Sequence, residues 1–581
     1  MKNALLVCCV LLVASQLPAL DAYPKTSVAE DATATWCTYC PNAYAGLDIV
    51  HGQFDASQFL SVRYYETSGS YGTTETDARN DFYQVTGFPT VTFDGLTQIV
   101  GAGSTTASTG EPYLSVVGGN TLVPAPVKLE IDSFNATTGA VSATVTMYST
   151  TAALNNDTLL FVLLEDEVAP GHTHVARDLV YETVTLTGAG SSTTVNTSFT
   201  INPAWTTANL YAVALVQQVA DKEVLQSAST YTQPAYNVRG MVPFARTGFG
   251  PSSGTFMTGD VTVMNTGLAD GFTISLVVDS APAGWTFSFD DETGTTHTSP
   301  YGFSLGNEAS TFFAANVMPT SPGQAEFHFE VTSTNLAAPL IIPFTYYTDD
   351  LDVMIIDDDG GDPYETYFTE ALDTAGMTYG IFDRDTATVP VEIAQTYSTI
   401  IWNVGWGFPS LDDDDKPFID GFLADGKSLF LSGQDIGWDL NDPGGSPDPV
   451  WYQTTLHANY VRDDTNILDL DGVAGDPITD GLTLHIAGGT GANNQAYPDE
   501  IGAADADATV ILNYSGDGGG AIRVIDSTSG GRIVYLGFGF EGIADAQDRY
   551  DLLIPSLDWL NGVFADGFES GDASAWSSTV P

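Results

Sequence analysis

Trp36-Cys37-Thr38-Tyr39-Cys40-Pro41, followed further along by Thr86-Gly87-Phe88-Pro89-Thr90-Val91-Thr92-Phe93, is the part of the chain from which the rest can be read. Two residues between cysteines let the sulfurs close a small ring when the first cysteine begins a helix. A helix start offers free N–H groups and the positive end of the helix dipole to that sulfur. This favours the thiolate, which is the nucleophile in disulfide exchange. Cys37 is then the attacking sulfur and Cys40 the resolving one. Three other readings stay open. A half zinc site needs two more good ligands, and no other cysteine lies beyond residue 22. A structural disulfide over so short a loop removes little chain entropy. Two buried thiols would also be consistent with the pattern, although Thr38 and Tyr39 suit a surface turn. In the second segment Pro89 precedes a strand, where an X–Pro bond is either trans or, at small cost, cis. A cis proline facing a dithiol would let an extended substrate segment pair with the flanking backbone, which makes Phe88 and Pro89 the candidate substrate contacts.

Outward from this pair the chain changes character several times. After Cys40 a helical stretch carries Ala43, Leu47, Ile49 and Val50 along one side. Phe59–Tyr65 and Thr90–Phe93 read as strands. Thr121–Pro126 is linker-like. From Val127 onward, Val127–Ile131 and Val141–Met147 alternate, while Leu159–Leu164 and Leu210–Val216 are apolar runs, a pattern that predicts a β-sandwich. Residues 240–348 repeat the style and predict a second one. At Leu351 strands begin to alternate with helices: Val353–Ile356, a helix around 364–375, Thr399–Trp402, a helix over 416–425, and Ser428–Leu431. This predicts an open, mostly parallel α/β sheet. The expected fold class is therefore multidomain, α/β plus all-β, with boundaries at 1–22, 23–123, 124–234, 235–349, 350–563 and 564–581.

The 581 residues exceed what one core supports, and with 43% hydrophobic residues each domain can bury a core of its own. Against 73 Asp and Glu stand 16 Lys and Arg, and the formal charge of −57 excludes non-specific nucleic-acid binding and opposes docking on anionic lipid. Residues 1–22, with Lys2, the apolar Ala4–Val13 and a small-residue end at Ala22, read as a signal peptide. A secreted chain, periplasmic or extracellular, is expected, keeping only Cys37 and Cys40 and having no transmembrane segment.

Taken together, Trp36-Cys37-x-x-Cys40 and Gly87-Phe88-Pro89-Thr90 resemble the thioredoxin superfamily. The resemblance implies a thioredoxin-like fold over 23–123 and thiol–disulfide exchange. It also places a buried carboxylate that assists proton transfer at Asp31, with Glu30 as the neighbouring candidate. Thr38-Tyr39 stands where the usual Gly-Pro would be, and Pro41 follows the dithiol. The Cys-x-x-Cys-Pro form with an attached β domain is similar to a secreted bacterial group, the outer membrane protein twenty-eight family, over residues 25–232. The last large unit resembles the class I glutamine-amidotransferase-like, flavodoxin-like fold, through Ser428–Asp435 and Tyr535–Glu541. That family's catalytic members use a cysteine and a histidine. This unit has no cysteine, and Gly539 stands at the histidine position, so acyl transfer by that route is not expected. Ser432 with His457 or His485 as base is the remaining alternative there.

Two weaker patterns concern metals. His172 and His174 fall on one face if their segment is a strand, with Glu165 and Glu167 upstream; exposed loop histidines are the commoner explanation. Asp357-Asp358-Asp359-Gly360-Gly361-Asp362 follows a strand at its carboxyl end, where α/β sheets place ligands. Asp357, Asp359 and Asp362 are the candidate calcium ligands, set against a solvated acidic loop. Asp412–Asp415 reads as a solvated approach to a helix. The tail Asp566–Asp572 looks like a short ending found on secreted bacterial proteins. The function expected overall is thiol–disulfide exchange with thiol- or disulfide-containing proteins. The alternative is a non-enzymatic extracellular binding or adhesion protein that uses the same domains as scaffolds.

Overall fold

The computed structural model describes residues 21–103 and 105–562. Nearly all of the expected signal segment and the whole of the expected tail lie outside these residues. The fold is mixed and mostly sheet, with several sandwich-like sheets. The chain forms two compact units: 1–243 with 261–270 and 305–311, and the remainder from 244 onward. No helix among the described residues is long and apolar enough to cross a membrane.

In the first unit the elements run β1 Ser27–Thr33, α1 Cys40–Gln53, β2 Phe59–Tyr65, α2 Thr74–Phe82, β3 Thr90–Phe93, β4 Thr97–Val100 and α3 Thr106–Asn120. They continue as β5 Val127–Phe134, β6 Ala140–Met147, β7 Ala153–Glu165, β8 Val175–Thr187, β9 Ser192–Ser198, β10 Leu210–Gln217 and β11 Val224–Ser229. One eight-stranded sheet has the order β11-β10-β7-β8-β2-β1-β3-β4. The expected boundary at 123/124 is therefore not a break between sheets. Val175 of β8 pairs in parallel with Arg63 of β2, and this joins the dithiol region to the sandwich strands. The three-stranded sheet β9-β6-β5 covers one face of the β7–β10 part, with Val145, Leu159, Phe161 and Ala214 in the shared core.

Helices α1 and α3 share the face of β1 that carries Ala29, in a core with Ala43, Leu47, Val50, Tyr113 and Val117. Gly46 lets them approach closely, because a Cβ there would sit 2.9 Å from Thr109 Cγ2. Ile49, expected in this stripe, is only partly buried. Helix α2 opens on a capping box in which Thr73 and Thr76 bond reciprocally.

The expected second sandwich, 235–349, divides between the units. Val238–Met241 pairs with Val261–Asn265 in the first unit. In the second, Thr286–Asp291 pairs with Phe313–Met318, and Gln324–Thr332 lies between Thr273–Ser280 and Leu340–Thr348. Phe289 and Phe329 meet edge-on between these two layers, with ring centroids 5.7 Å apart.

The α/β part of the second unit runs β12 Val353–Asp357, α4 Glu365–Ala375, β13 Tyr379–Asp383, α5 Val391–Thr396, β14 Thr399–Gly405, α6 Asp415–Ala424, β15 Ser428–Gly433, α7 Ile436–Asn441 and α8 Pro449–Thr454. Then come β16 Ala458–Arg462, β17 Asp469–Gly472, β18 Thr483–His485, β19 Glu500–Ala503, β20 Ala508–Tyr514, β21 Gly519–Ile525, β22 Arg532–Leu536 and α9 Ala546–Leu560. Nine strands form one sheet in the order β13-β12-β14-β15-β22-β21-β20-β17-β18. The expectation of a mostly parallel sheet needs correction. The pairs from β13 to β22 are parallel, but the four from β22 to β18 are antiparallel. Short turns such as Ser515–Gly518 return the chain directly, so no crossover helix is needed in this half.

Candidate functional site

The turn after β1 ends at Tyr39, and Pro41 at the first positions of α1 is well suited to a helix start because its missing N–H would be unused there. The second cysteine, not the first, begins the helix; Cys37 lies in the preceding turn. The helix N-terminus nevertheless acts on Cys37, since the Cys40 N–H points at Cys37 Sγ over 3.1 Å. The two sulfurs form a disulfide with the Cα atoms 5.6 Å apart. Cys40 is buried, whereas Cys37 is half-buried and flanked by Trp36 and Tyr39, which are 59% and 65% exposed. Cys37 is thus accessible to solvent and Cys40 is not.

The Phe88–Pro89 bond is cis, and the Phe88 carbonyl oxygen lies 3.5 Å from Cys37 Sγ. Trp36 meets the Phe88 ring edge-on at 5.8 Å, and its indole N–H donates to Ser68 Oγ over 2.8 Å. Pro89 is itself buried, which leaves half-buried Phe88 and exposed Trp36 as the accessible groups beside the sulfur.

Asp31 and Glu30 are adjacent on β1, so their side chains leave opposite faces of the sheet. Glu30 points toward α2 and is fully occupied. It takes Arg79 Nε and Nη2, each over 2.7 Å, and the Tyr83 hydroxyl over 2.6 Å. Asp31 shares the α1–α3 face, where Thr33 bonds Tyr44, one turn after Cys40. Neither oxygen of Asp31 has a hydrogen-bond partner, and the nearest cation is Arg63 Nε at 3.7 Å. Burial pushes the Asp31 carboxyl up to about 7, with Arg63 opposing. Of the two candidates, only Asp31 has a carboxylate free to exchange a proton.

Arg63 was not singled out in the sequence, although an arginine inside the apolar run Phe59–Tyr65 is itself a signal. It donates to Thr173 Oγ1 over 3.1 Å and lies over the Tyr44 ring at 4.1 Å. It thereby links the dithiol face to the segment holding His172 and His174. In that pair the Nδ1 atoms meet tyrosine hydroxyls. The Tyr65 hydroxyl and His172 Nδ1 are 2.5 Å apart, and the Tyr211 hydroxyl and His174 Nδ1 are 2.6 Å apart. His174 also stacks on His51 at 5.0 Å, and Glu165 is held by Arg177.

In the α/β unit, Asp357 and Asp359 come together as expected, but their third acidic neighbour is Glu365 of α4, and Asp362 is exposed and outside the group. A helix beginning three residues after Asp362 turns Glu365 back toward the strand end. Acidic groups here could hold a metal ion. Burial raises both Asp357 and Asp359, and each accepts from Asn403 Nδ2. Asp412 and Asp415, expected in a solvated approach, instead grip Arg384 over 2.6 and 2.5 Å.

The alternative nucleophile Ser432 is a structural hydroxyl. It donates to the Phe538 carbonyl over 3.2 Å and accepts from the Phe540 N–H over 2.8 Å. His457 and His485 bond Asp505 and Asp469 instead. Glu541 is buried and accepts from Asn494 and Gln495 over 2.8 and 2.9 Å. A Cβ at Gly539 would sit 1.9 Å from its Oε1, so the carboxylate fills the space a side chain at position 539 would need.

No known protein family matches the chain, and no curated protein matches it. Among solved structures, a PapD-like domain of human CEP192 is 12% identical over 20% of this chain and 89% of its own, with a TM-score of 0.13. A conjugative transposon lipoprotein from Bacteroides eggerthii is 14% identical over 20% of this chain and 98% of its own, with a TM-score of 0.14. The secreted serine protease VesC from Vibrio cholerae is 10% identical over 38% of this chain and 49% of its own, with a TM-score of 0.16. At these scores the likenesses carry no argument about function.

Proposed function

We propose that the chain is a thiol–disulfide exchange protein acting through Cys37 and Cys40 on thiol- or disulfide-containing proteins, with a thioredoxin-like arrangement in residues 23–123. The observation that carries this reading is the half-exposed Cys37 sulfur, held between the Cys40 N–H at 3.1 Å and the Phe88 carbonyl at 3.5 Å. In the reducing direction the Cys37 thiolate attacks a substrate disulfide. One Cys37–substrate S–S bond forms and the first substrate thiolate leaves. Cys40 then gives up its proton, with buried Asp31 as the base, and attacks Cys37 Sγ. The Cys37–Cys40 bond forms, the mixed disulfide breaks, and two electrons have passed to the substrate.

Turnover of a protein disulfide by the full chain, measured against a small dithiol, tests the reading. The expected result is faster exchange that is lost in Cys37→Ser, with mixed disulfides accumulating in Cys40→Ser. Exchange no faster than the small dithiol would overturn it.

For the α/β unit a second reading is favoured by one observation: the Glu541 carboxylate stands in the side-chain space of position 539. We infer that this unit, which resembles the amidotransferase-like fold in sequence, binds a ligand or partner and does not transfer acyl groups. Release of ammonia from glutamine by the purified chain would overturn this.

A further inference from the structure

We propose that Asp435, Asp463 and Asp499 bind a calcium ion. The three residues come from separate segments: between β15 and α7, just after β16, and just before β19. Strands β16 and β19 pair antiparallel with Arg462 opposite Glu500, which brings Asp463 and Asp499 to the same end of the ribbon. Each of the three offers one carboxylate oxygen, and those oxygens lie within 4.8 Å of one another.

A cluster of acids is common on a chain this acidic, and the case rests on a second observation. Asp499 is completely buried. Its Oδ2 accepts the Gly437 and Trp438 N–H groups over 2.7 and 3.3 Å, but its Oδ1 has no donor. Oδ1 of Asp463 is likewise buried without a donor. Two carboxylate oxygens removed from water and left without a partner are costly unless a cation meets them. The nearest basic residue in sequence, Arg462, directs its guanidinium to Glu500 and Asp517 instead. Asp439, close by in sequence, is satisfied by Ser410 and Ser446. In the group of Asp357, Asp359 and Glu365, both aspartates already have donors in Asn403, Gly361 and Tyr364, and only Glu365 Oε2 is buried without one.

The donor set is all oxygen, which selects a hard cation. Calcium accepts a loose shell of six to eight oxygens completed by water, whereas magnesium requires a tight octahedron. The ion would tie the β16–β19 ribbon to the start of α7.

Terbium is a luminescent substitute for calcium, and the Trp406 indole donates to Asp435 Oδ2 over 3.1 Å, close enough to sensitise it. Tryptophan-excited terbium emission of the full chain should appear, be displaced by calcium, and be lost in Asp463→Asn and in Asp435→Asn. It should persist in Asp357→Asn. Calcium should raise the melting temperature of the wild type by several degrees and that of Asp463→Asn by much less. Circular dichroism identifies which variants are folded, and the less buried Asp463 and Asp435 are preferred to Asp499 for that reason. Emission that survives in both variants, emission that disappears only in Asp357→Asn, or a wild-type melting temperature unmoved by calcium would overturn the proposal. In that case protons shared among the carboxylates would explain the unpaired oxygens.

Discussion

The Phe88 carbonyl oxygen lies 3.5 Å from Cys37 Sγ, so the loop before β3 and the turn before α1 present the sulfur and a main-chain acceptor to the same approach. Trp36 completes that surface, exposed and edge-on to Phe88. Trp36→Ala removes contact area but no core packing. Its KM for a protein disulfide should rise severalfold with kcat little changed, and stability should move by no more than about 0.5 kcal/mol. Steady-state kinetics and urea denaturation check both parts. A fall in kcat at constant KM would contradict the contact role.

Burial pushes the Asp31 carboxyl up to about 7, so in the proposed exchange it takes the Cys40 proton only above that pH. The resolving step should therefore quicken as pH rises through 7. Asp31→Asn should flatten that profile and slow resolution near pH 8 by about 10²-fold. Stopped-flow decay of the mixed disulfide measures this. The folded value lies above the unfolded 3.8, so this group's contribution to stability is full below 3.8 and is lost as pH rises toward 7.

Glu30 is a structural carboxylate. Its ion pair with Arg79 is buried, and Gln217 Oε1 accepts from Arg79 Nη1 over 2.8 Å, which ties α2 to β10. Glu30→Ala leaves a buried guanidinium without its charge partner and should cost about 3–5 kcal/mol. The pH profile of exchange in folded protein should stay as in the wild type. A profile flattened like that of Asp31→Asn would reassign the proton acceptor.

His51 and His174 are both held down to about 3, mainly by burial, with Arg63 opposing their protonation. Their folded values lie below the unfolded 6.5, so the stability they contribute is full above 6.5 and is lost as pH falls toward 3. Between these limits His51→Phe should lose less stability on acidification than the wild type. Each tenfold difference in proton affinity between the folded and unfolded chain is worth about 1.4 kcal/mol, so the gap should reach a few kcal/mol at the acid end. Urea midpoints measured across that range give the difference. Parallel curves would mean that His51 is already charged in the folded protein.

Local pattern carried much of the secondary structure. Val127–Ile131, Val141–Met147, Leu159–Leu164 and Leu210–Val216 all fall within strands, and the helix around 364–375 is α4. A pleat or a helical turn imposes its period on nearby residues, and such periods can be read directly. The same period put Glu30 and Asp31 on opposite faces, but only the packing of α1 and α3 on one side and α2 on the other decided which carboxylate was left without a donor.

From the sequence alone came the Cys-x-x-Cys unit, the proline before β3, the change of architecture at Leu351 and the strong acidity, because each is written in neighbouring residues or in composition. The tertiary structure alone decided that β8 joins β2 across residues 63 and 175, and that Glu365 replaces Asp362 beside Asp357. It also gathered Asp435, Asp463 and Asp499 around one point. These depend on strand order and chain return, which follow from how whole sheets bury their faces and leave no local signature.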